Sequence, residues 1–156
     1  MNQLTALERN KIWDDFLAAW PVSRVKSMTL EEYTQAGGRD TFTYWIEGGT
    51  QDLGSIWGGS AFKFGIYHMN PSRADKEYDA GTMHKSDGDY AWYSRTGDTR
   101  EEVFRITKQR ILDVIEAVRS NRLEDIGPLG LGRAIKWKNR RSIPGSYGIA
   151  SASHIQ

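Results

Sequence analysis

Hydrophobic residues near the start of the chain recur at the spacing of an amphipathic helix. The apolar positions follow the pattern i, i+3, i+4 and i+7 and are Trp13, Phe16, Leu17 and Trp20. Such a stripe places the large side chains on one helical face, and Pro21 predicts that the helix ends at Trp20. Further along, "TLEEY" (Thr29–Tyr33) has the residues of a capping box and predicts a short helix that ends at Gly37–Gly38.

The hydrophobic period changes from helical to alternating in the middle of the chain. "FTYWIE" (Phe42–Glu47) and "AFKFGIY" (Ala61–Tyr67) place their side chains alternately on two faces, which predicts two strands that pair with each other. A polar segment with turn-forming residues, Asn70–Asp89, predicts a long loop. "YAWY" (Tyr90–Tyr93) and "AIKWK" (Ala134–Lys138) are further strand candidates.

The clearest helix begins at "TREEVF", where Thr99 is the predicted N-cap and Glu102 is its capping-box partner. One arc of this helix carries the apolar side chains and a threonine, at Val103, Phe104, Thr107, Ile111, Val114, Ile115 and Val118. Charged residues occupy the opposite side. The helix Thr99–Arg119 is therefore predicted to pack its apolar face on the sheet.

These elements predict an α+β fold, in which a mostly antiparallel sheet is flanked by an N-terminal helix and by the long helix of the C-terminal half. A chain of 156 residues with 38% hydrophobic residues is sufficient for one domain with its own core. We place that domain at residues 1–138. Residues 139–156, "NRRSIPGSYGIASASHIQ", have no apolar period and are predicted to form a basic, irregular tail.

The net charge of +1 conceals a difference between the two parts of the chain. Residues 1–98 contain 10 Lys and Arg against 14 Asp and Glu, whereas residues 99–156 contain 11 against 6. From Ile126 onward there are five basic residues and no acidic one. This part of the chain is predicted either to approach nucleic acid phosphates or to be a solvated tail, and charge alone leaves both open.

The chain has no cysteine, which excludes disulfides and thiolate metal sites and fits a reducing compartment. The N-terminal residues "MNQLTALERNKIWDDF" carry charges where a signal peptide needs an apolar run. No apolar stretch reaches the roughly 20 residues of a membrane helix. We therefore expect a cytoplasmic protein that does not enter the membrane.

The glycine-rich segment Gly54–Ala61 comes closest to a nucleotide-binding loop but does not match one. Ser60 stands where a phosphate-binding loop requires lysine, and the segment leads into a strand pattern instead of a helix. The alternating acids of "DKEYDAG" (Asp75–Gly81) have their turn glycine one position late for a calcium loop, and the three histidines lack zinc spacing. We predict no cofactor, no metal and no catalytic residue, so no enzyme activity. A catalytic site assembled only in space stays open.

Aromatic residues are the remaining candidates for function, because six tryptophans in 156 residues is a high density. The candidate residues for stacking on a base are Trp45, Trp57, Tyr67 and Trp92. The candidate residues for phosphate contacts are Lys63, Lys136, Lys138, Arg140 and Arg141. The alternative is that most of the aromatic rings fill the core of a small domain.

The order of these motifs resembles the N-terminal accessory region of McrB-like AAA+ restriction ATPases. The resemblance runs from about Trp13 to Lys138 and is most specific in "LGSIWGGSAFKFGIY" (Leu53–Tyr67), which "YAWY", the long helix and "LGLGRAIKWK" follow in order. It implies a module that recognises a target, often DNA with a modified base, while a separate AAA+ ATPase and a partner nuclease couple energy and cut. In this chain no Walker motif follows, and residues 139–156 stand where the family pattern has a further apolar strand.

Together these observations predict a non-catalytic DNA-recognition or target-sensing module of a prokaryotic restriction or antiviral defence system. Its partners would be DNA, including base-modified DNA, and AAA+ ATPase and nuclease subunits. The main alternative is a protein-interaction module that docks a partner subunit through an exposed aromatic face.

Overall fold

The computed structural model of the protein describes residues 4–53, 61–73 and 83–126, which form an α+β fold. The helices in these residues are α1 (Ala6–Ala19), α2 (Val22–Ser27), α3 (Leu30–Tyr33), α4 (Phe42–Tyr44) and α5 (Arg100–Arg119). The strands are β1 (Ile66–His68), β2 (His84–Ser86) and β3 (Tyr90–Tyr93). A π-helical turn at Trp45–Gly49 continues α4, and turns of 3₁₀ helix occupy Gln51–Leu53, Ala61–Phe64, Pro71–Arg73 and Leu123–Ile126.

The three strands form one antiparallel sheet in the order β1-β3-β2, which confirms the predicted sheet type. Its central strand, β3, is the predicted "YAWY" strand. Ile66 lies opposite Trp92, and both belong to the main hydrophobic core. Tyr67 lies opposite Ala91, and both belong to a second, smaller cluster. Since directly opposed residues share a face, the sheet has an inner face on the main core and an outer face on the smaller cluster.

The inner face of the sheet packs against α5, which contacts both β1 and β3. Aromatic side chains from the N-terminal helices complete this core. Trp20 and Tyr33 both contact the ring of Phe42, at centroid distances of 5.5 and 5.9 Å. The main core is therefore built between α5, the sheet and a group of aromatic rings from the first part of the chain.

The side chain of Tyr33 connects α3 to the turn that precedes β1. It is buried, and its hydroxyl donates a hydrogen bond of 2.5 Å to the carbonyl oxygen of Phe64. Burial raises the pKa of Tyr33 well above its ordinary range, so the hydroxyl keeps its proton and remains a donor. The bond fixes the 3₁₀ turn Ala61–Phe64 against α3.

Helix α1 confirms the amphipathic helix that the sequence predicts near the N-terminus. Trp13 and Phe16 are buried on one face, Leu17 packs beside the core, and Trp20 is the C-cap. The predicted boundary before Pro21 is therefore confirmed as well.

Helix α3 begins with the predicted capping box. Thr29 Oγ1 accepts a hydrogen bond from the backbone N–H of Glu32, and the Glu32 carboxylate accepts one from the backbone N–H of Thr29. The predicted end at Gly37–Gly38 is wrong. The helix ends at Tyr33, because Thr34 already has an extended backbone with φ −152° and ψ 120°.

Helix α5 confirms the predicted long helix, which Thr99 caps by accepting a hydrogen bond from the backbone N–H of Glu102. The Glu102 carboxylate accepts from the backbone N–H of Asp98 at 2.9 Å, one residue before the position that the predicted capping box requires. The buried residues of the helix are Val103, Thr107, Ile111, Val114, Ile115 and Ala117. The predicted apolar arc therefore faces the core.

The prediction of a strand at Phe42–Glu47 is wrong, because this segment forms α4 and the π-helical turn. Thr41 starts the helix by accepting a hydrogen bond of 3.2 Å from the backbone N–H of Tyr44. Phe42 and Ile46 are both buried, and their spacing of four residues fits a helix as well as an alternating strand. Tyr44 distinguishes a helix from a strand here. A strand would place Tyr44 on the same face as Phe42 and Ile46, but its side chain is 43% exposed.

The second predicted strand, Ala61–Tyr67, is confirmed only at its end, since β1 begins at Ile66. A positive φ of 84° at Gly65 separates the 3₁₀ turn from the strand. The strand pairs with β3, so the predicted pairing with the segment at residue 42 is also wrong. Strand β2 lies within the predicted loop Asn70–Asp89, and its residues His84–Ser86 are polar, so no hydrophobic alternation marks it.

The remaining predicted elements fall outside the described residues. They are the strand at Ala134–Lys138 and the tail at 139–156, so the domain boundary at residue 138 stays a prediction. Within the described part of the chain, no helix has both the length and the apolar character needed to cross a membrane.

A turn at Asp87–Asp89 ties the β2–β3 hairpin to the start of α5. The Asp87 carboxylate accepts hydrogen bonds from the backbone N–H groups of Asp89 and Tyr90, at 3.1 and 2.9 Å, and from the side chain of Arg100. The Arg100 guanidinium also bonds Asp89 at 3.2 Å and lies over the Tyr90 ring. Burial opposes the charge of Asp87, but these hydrogen bonds outweigh it and hold the pKa of Asp87 below its ordinary value.

Replacing Asp87 with Asn should lower the free energy of unfolding at pH 7 by about 1 kcal/mol, because the charged hydrogen bond with Arg100 is lost. The pKa of Asp87 is lower in the folded state than in the unfolded state. The ionised Asp87 carboxylate therefore stabilises the folded protein fully at pH values above its unfolded-state pKa of about 3.9. This stabilisation is lost as the pH falls through the folded-state pKa. Urea denaturation at pH 7 and at about pH 3 measures the difference between the two proteins.

The matched control is Asp15→Asn, whose partner is Lys11 in a solvent-exposed pair. This change should leave stability nearly unchanged at both pH values. An equal loss in the two variants, or a loss for Asp87→Asn that is as large in acid as at pH 7, would contradict the role of Asp87.

The turn before β1 and helix α5 approach each other closely at Gly65. Its φ is 84°, and a Cβ atom at this position would lie 2.8 Å from Thr107 Oγ1. Thr107 is fully buried, and its hydroxyl has no hydrogen-bond partner within the described residues. Both the backbone conformation and the available space therefore require glycine here.

Replacing Gly65 with Ala should destabilise the protein more than the same change at Gly37. Gly37 has a similar φ of 78°, but a Cβ atom there would meet no other atom within 4 Å, so only the backbone cost of roughly 1–2 kcal/mol applies. At Gly65 the contact with Thr107 adds about 1–3 kcal/mol of overpacking. Thermal and urea unfolding of the two variants measure the difference, and equal losses would show that the close approach is not required.

Candidate functional site

The outer face of the sheet carries four aromatic rings, which we call the aromatic platform. They are Phe62 from the 3₁₀ turn before β1, Tyr67 from β1, His84 from β2 and Tyr93 from β3. Tyr67 lies opposite Ala91 in the sheet, and His84 lies opposite Tyr93. The platform therefore crosses all three strands on the side away from α5.

Phe62 lies at the centre of the platform. Its ring centroid is 4.0 Å from His84, 5.0 Å from Tyr93 and 5.1 Å from Tyr67. The Tyr67 ring stands perpendicular to it at 89°, whereas the other two rings are tilted by 34° and 37°. Ring pairs at these separations attract each other through offset and edge contacts. Phe62 is 8% exposed and the other three rings are partly exposed, so the platform presents aromatic surface on a buried support.

The platform is part of the second hydrophobic cluster. This cluster consists of Phe62, Met69 and Ala91, with Tyr67 and Tyr93 packed against it. Ala91 is fully buried in the central strand, and its small side chain leaves room for rings on this face. The platform is thus supported by its own cluster and does not share the main core.

One charged residue, Arg95, lies at an edge of the platform. The Arg95 guanidinium is 5.2 Å from the centroid of the Tyr93 ring, a cation–π distance, and the residue is exposed. No carboxylate in the described residues forms an ion pair with Arg95. Lys85, in contrast, bonds Asp98 at 2.5 Å, and this bond lowers the pKa of Asp98. Arg95 is therefore a cation that the described residues leave available beside an aromatic ring.

The structure separates two of the predicted base-stacking residues, Tyr67 and Trp45. Tyr67 belongs to the platform, whereas Trp45 packs against the main core from the π-helical turn. The indole N–H of Trp45 donates a hydrogen bond of 3.1 Å to Asp40, and bonds from Arg24 and Trp45 hold the pKa of Asp40 below its ordinary value. A Cβ atom at Gly49 would lie 2.8 Å from the Trp45 ring, so the backbone at Gly49 runs close to the ring. The two residues do not form one pocket.

Trp92, another predicted base-stacking residue, fills the main core. It is 2% exposed on the inner face of the sheet, and its indole N–H donates a hydrogen bond of 3.0 Å to the carbonyl of Gly97. A ring in this position presents no face to a ligand, because α5 and the sheet enclose it. We therefore assign Trp92 a structural role and leave it out of the candidate site.

Lys63, the one predicted phosphate contact in the described residues, already has an anionic partner. Its ammonium group lies 2.5 Å from the Glu47 carboxylate, and the side chains are only 17% and 24% exposed. The ammonium also lies 5.0 Å from the Phe64 ring centroid. The other predicted site residues lie outside the described residues and are Trp57, Lys136, Lys138, Arg140 and Arg141.

Sequence reasoning found Tyr67 but missed His84, Tyr93 and Arg95 as site residues. Tyr93 continues the alternation of the "YAWY" strand onto the face opposite Trp92, so the strand pattern carried a signal for it. His84 had no such signal, because its strand has no hydrophobic alternation of its own.

The histidines of the described residues lie apart from any metal-binding group. His68 Nδ1 accepts a hydrogen bond of 2.9 Å from the backbone N–H of Ala36, which places the ring proton of the neutral side chain on Nε2. No group of three or more His, Asp or Glu side chains within the described ranges is arranged to hold a metal ion.

A double-mutant cycle on Lys63→Met and Glu47→Gln should give a coupling energy of about 1 kcal/mol, because the two side chains form a partly buried ionic hydrogen bond. Urea denaturation of the two single variants and the double variant measures this quantity. Lys26→Met, at an exposed lysine of α2, is the matched control and should leave stability nearly unchanged. A coupling energy near zero would return Lys63 to the set of candidate phosphate contacts.

Comparisons of the chain with protein-family models, with curated proteins and with solved structures found no match. The fold and the geometry of the aromatic platform therefore supply the grounds for a functional proposal. The platform combines partly exposed rings, a buried support and a neighbouring cation.

Proposed function

We propose that the protein is a non-catalytic DNA-recognition module that contacts DNA through the aromatic platform. The observation that carries the proposal is the set of partly exposed rings of Tyr67, His84 and Tyr93 on one sheet face, with Arg95 beside them. The resemblance to McrB-like ATPases supports a place in a cytoplasmic restriction or defence system. Its partners would then be an AAA+ ATPase and a nuclease, and modified bases would be among its targets.

The aromatic rings would supply the contact energy. Stacking of a base on an aromatic side chain contributes roughly 1–3 kcal/mol and depends little on which base is present. Tyr67 and Tyr93 are suited to this contact because each ring is held by Phe62 at about its preferred distance while remaining partly exposed. A ring that is already held in place loses little freedom when a ligand binds.

The cations would supply phosphate contacts. Arg95 lies at the edge of the platform without a carboxylate partner among the described residues. The sequence adds a basic segment, since five basic residues and no acidic one follow Ile126. Contacts of this kind release counterions from DNA, so binding would weaken as salt concentration rises.

An alternative function is the docking of a partner protein on the same face. Met83 favours this alternative, because it is 73% exposed directly before the platform residue His84. Exposed methionine and tyrosine side chains are common at the centres of protein interfaces. In that case a complex with the partner subunit would form without DNA.

Binding to fluorescently labelled DNA should be detectable at low salt and should fall as salt rises. The panel consists of a plain duplex, the same duplex with modified cytosine, and one strand of that duplex. Arg95→Ala should weaken binding to each of them and reduce the slope of log affinity against log salt by about 1. Arg39→Ala, at an exposed arginine between α3 and α4 that contacts none of the platform rings, is the matched control and should leave the slope unchanged.

Absence of binding to all three DNAs at low salt would overturn the proposed function. The docking alternative would be favoured if the protein fails to bind DNA but forms a stable complex with the AAA+ ATPase or nuclease subunit. Size-exclusion chromatography with light scattering separates the two results.

A further inference from the structure

We infer that the protonation state of His68 controls whether the connection between α3 and α4, residues 34–41, is bonded to strand β1. His68 is the last residue of β1, and its Nδ1 atom accepts a hydrogen bond of 2.9 Å from the backbone N–H of Ala36 in that connection. A neutral imidazole can accept such a bond, whereas an imidazolium donates from both ring nitrogens. Uptake of a proton on Nδ1 would therefore set two donors against each other and break the contact.

The other hydrogen bonds of the connection, as far as the described residues show, do not reach the sheet. The backbone N–H of Gly38 donates to the carbonyl of Gln35 inside the connection. At the far end, the Asp40 carboxylate accepts hydrogen bonds from α2 and from the π-helical turn. The bond between Ala36 and His68 therefore decides whether the middle of the connection is held against β1.

The connection can move without opening the core. Gly37 follows Ala36 with a φ of 78°, and a Cβ atom at Gly37 would meet no other atom within 4 Å, so the surroundings leave space for movement. The preceding helix, α3, is held to the sheet side independently, because the buried Tyr33 hydroxyl donates to the carbonyl of Phe64. Loss of the bond to His68 would therefore release the connection locally, with α3 still in place.

The His68 ring lies beside a group of charged side chains, so a positive charge on it would not be isolated among apolar groups. Its centroid is 4.9 Å from that of the Tyr90 ring, which the Arg100 guanidinium also contacts. The charged residues on the elements that meet here are Arg100 of α5, Asp87 and Asp89 of the β2–β3 turn, Glu31 and Glu32 of α3, and Arg39 and Asp40 of the connection. Carboxylates ordinarily titrate below about pH 5, and tyrosine and arginine above about pH 8. Histidine is the residue type of this group that ordinarily changes its charge between these values.

The Ala36 amide reports the bond directly in nuclear magnetic resonance spectra of the whole chain. Its protection factor against hydrogen exchange should fall by about 2- to 10-fold between about pH 8 and about pH 5, the factor that one hydrogen bond gives. The chemical shift of this amide should follow the ring C–H signals of His68 with the same midpoint. The buried amides of Ile111 and Val114 in α5 should stay protected over the same range, because the core remains closed.

Two substitutions at His68 separate the acceptor from the ring. His68→Asn places a side-chain oxygen near the position of Nδ1, and this oxygen accepts at both pH values, so the Ala36 amide should stay protected at both. His68→Phe keeps a ring beside Tyr90 without an acceptor, so the protection should be low and equal at both pH values. His84→Asn, the same change at the other histidine of the described residues, is the matched control and should keep the pH response of the unmodified protein.

Protection of the Ala36 amide that is equal at the two pH values in the unmodified protein would overturn the inference. A pH response that persists in folded His68→Phe protein would overturn it as well. Thermal unfolding shows whether each variant is folded. If the variants at His68 fail to fold, the unmodified protein decides: one shared midpoint for the Ala36 amide and the His68 ring supports the inference, and two different midpoints overturn it.

Discussion

A buried tyrosine hydroxyl constrains how the N-terminal helices meet the sheet. The hydroxyl of Tyr33 is removed from water and must find an acceptor inside the protein, and that acceptor is the carbonyl of Phe64 at 2.5 Å. The bond fixes the chain immediately before β1. Gly65 then turns the chain into the strand with a φ of 84°. A side chain at this position would clash with Thr107 of α5. The position of β1 on α5 follows from these two contacts.

The turn that Tyr33 holds also determines where the two neighbouring phenylalanines lie. In a strand, Phe62 and Phe64 would share one face. In the 3₁₀ turn that they occupy, with about three residues per turn, positions two apart point in different directions. Phe64 therefore enters the main core, whereas Phe62 enters the second cluster and supports the rings of the outer face. The aromatic platform depends on this departure from the strand that the sequence pattern suggested.

The fold was predictable where large apolar side chains recur over several turns, as on α1 and α5. It was not predictable where two patterns coincide: Phe42 and Ile46 are four residues apart, which satisfies both helix and strand, and Thr41 decides for the helix through a capping bond. Strand β2 could not be predicted from the sequence, because its residues are polar and form a strand through backbone pairing with β3. Of the candidate site, Tyr67 was predictable from alternation, but the enclosure of Trp92 depends on which sheet face α5 covers, and contacts between distant segments decide that.

Ion pairs reduce the number of positive charges that the described residues have available for binding. The pair of Lys63 and Glu47 was hidden from the sequence because its carboxylate lies on a segment whose secondary structure was predicted wrongly. Lys85 and Arg100 are likewise bonded to carboxylates, so these positive charges are largely neutralised where they lie. Arg95 differs from them, because its guanidinium faces a ring and no described carboxylate. Under the proposed function, Arg95 would therefore contact a phosphate without first breaking an ion pair to a described carboxylate, and the basic residues after Ile126 would add long-range attraction.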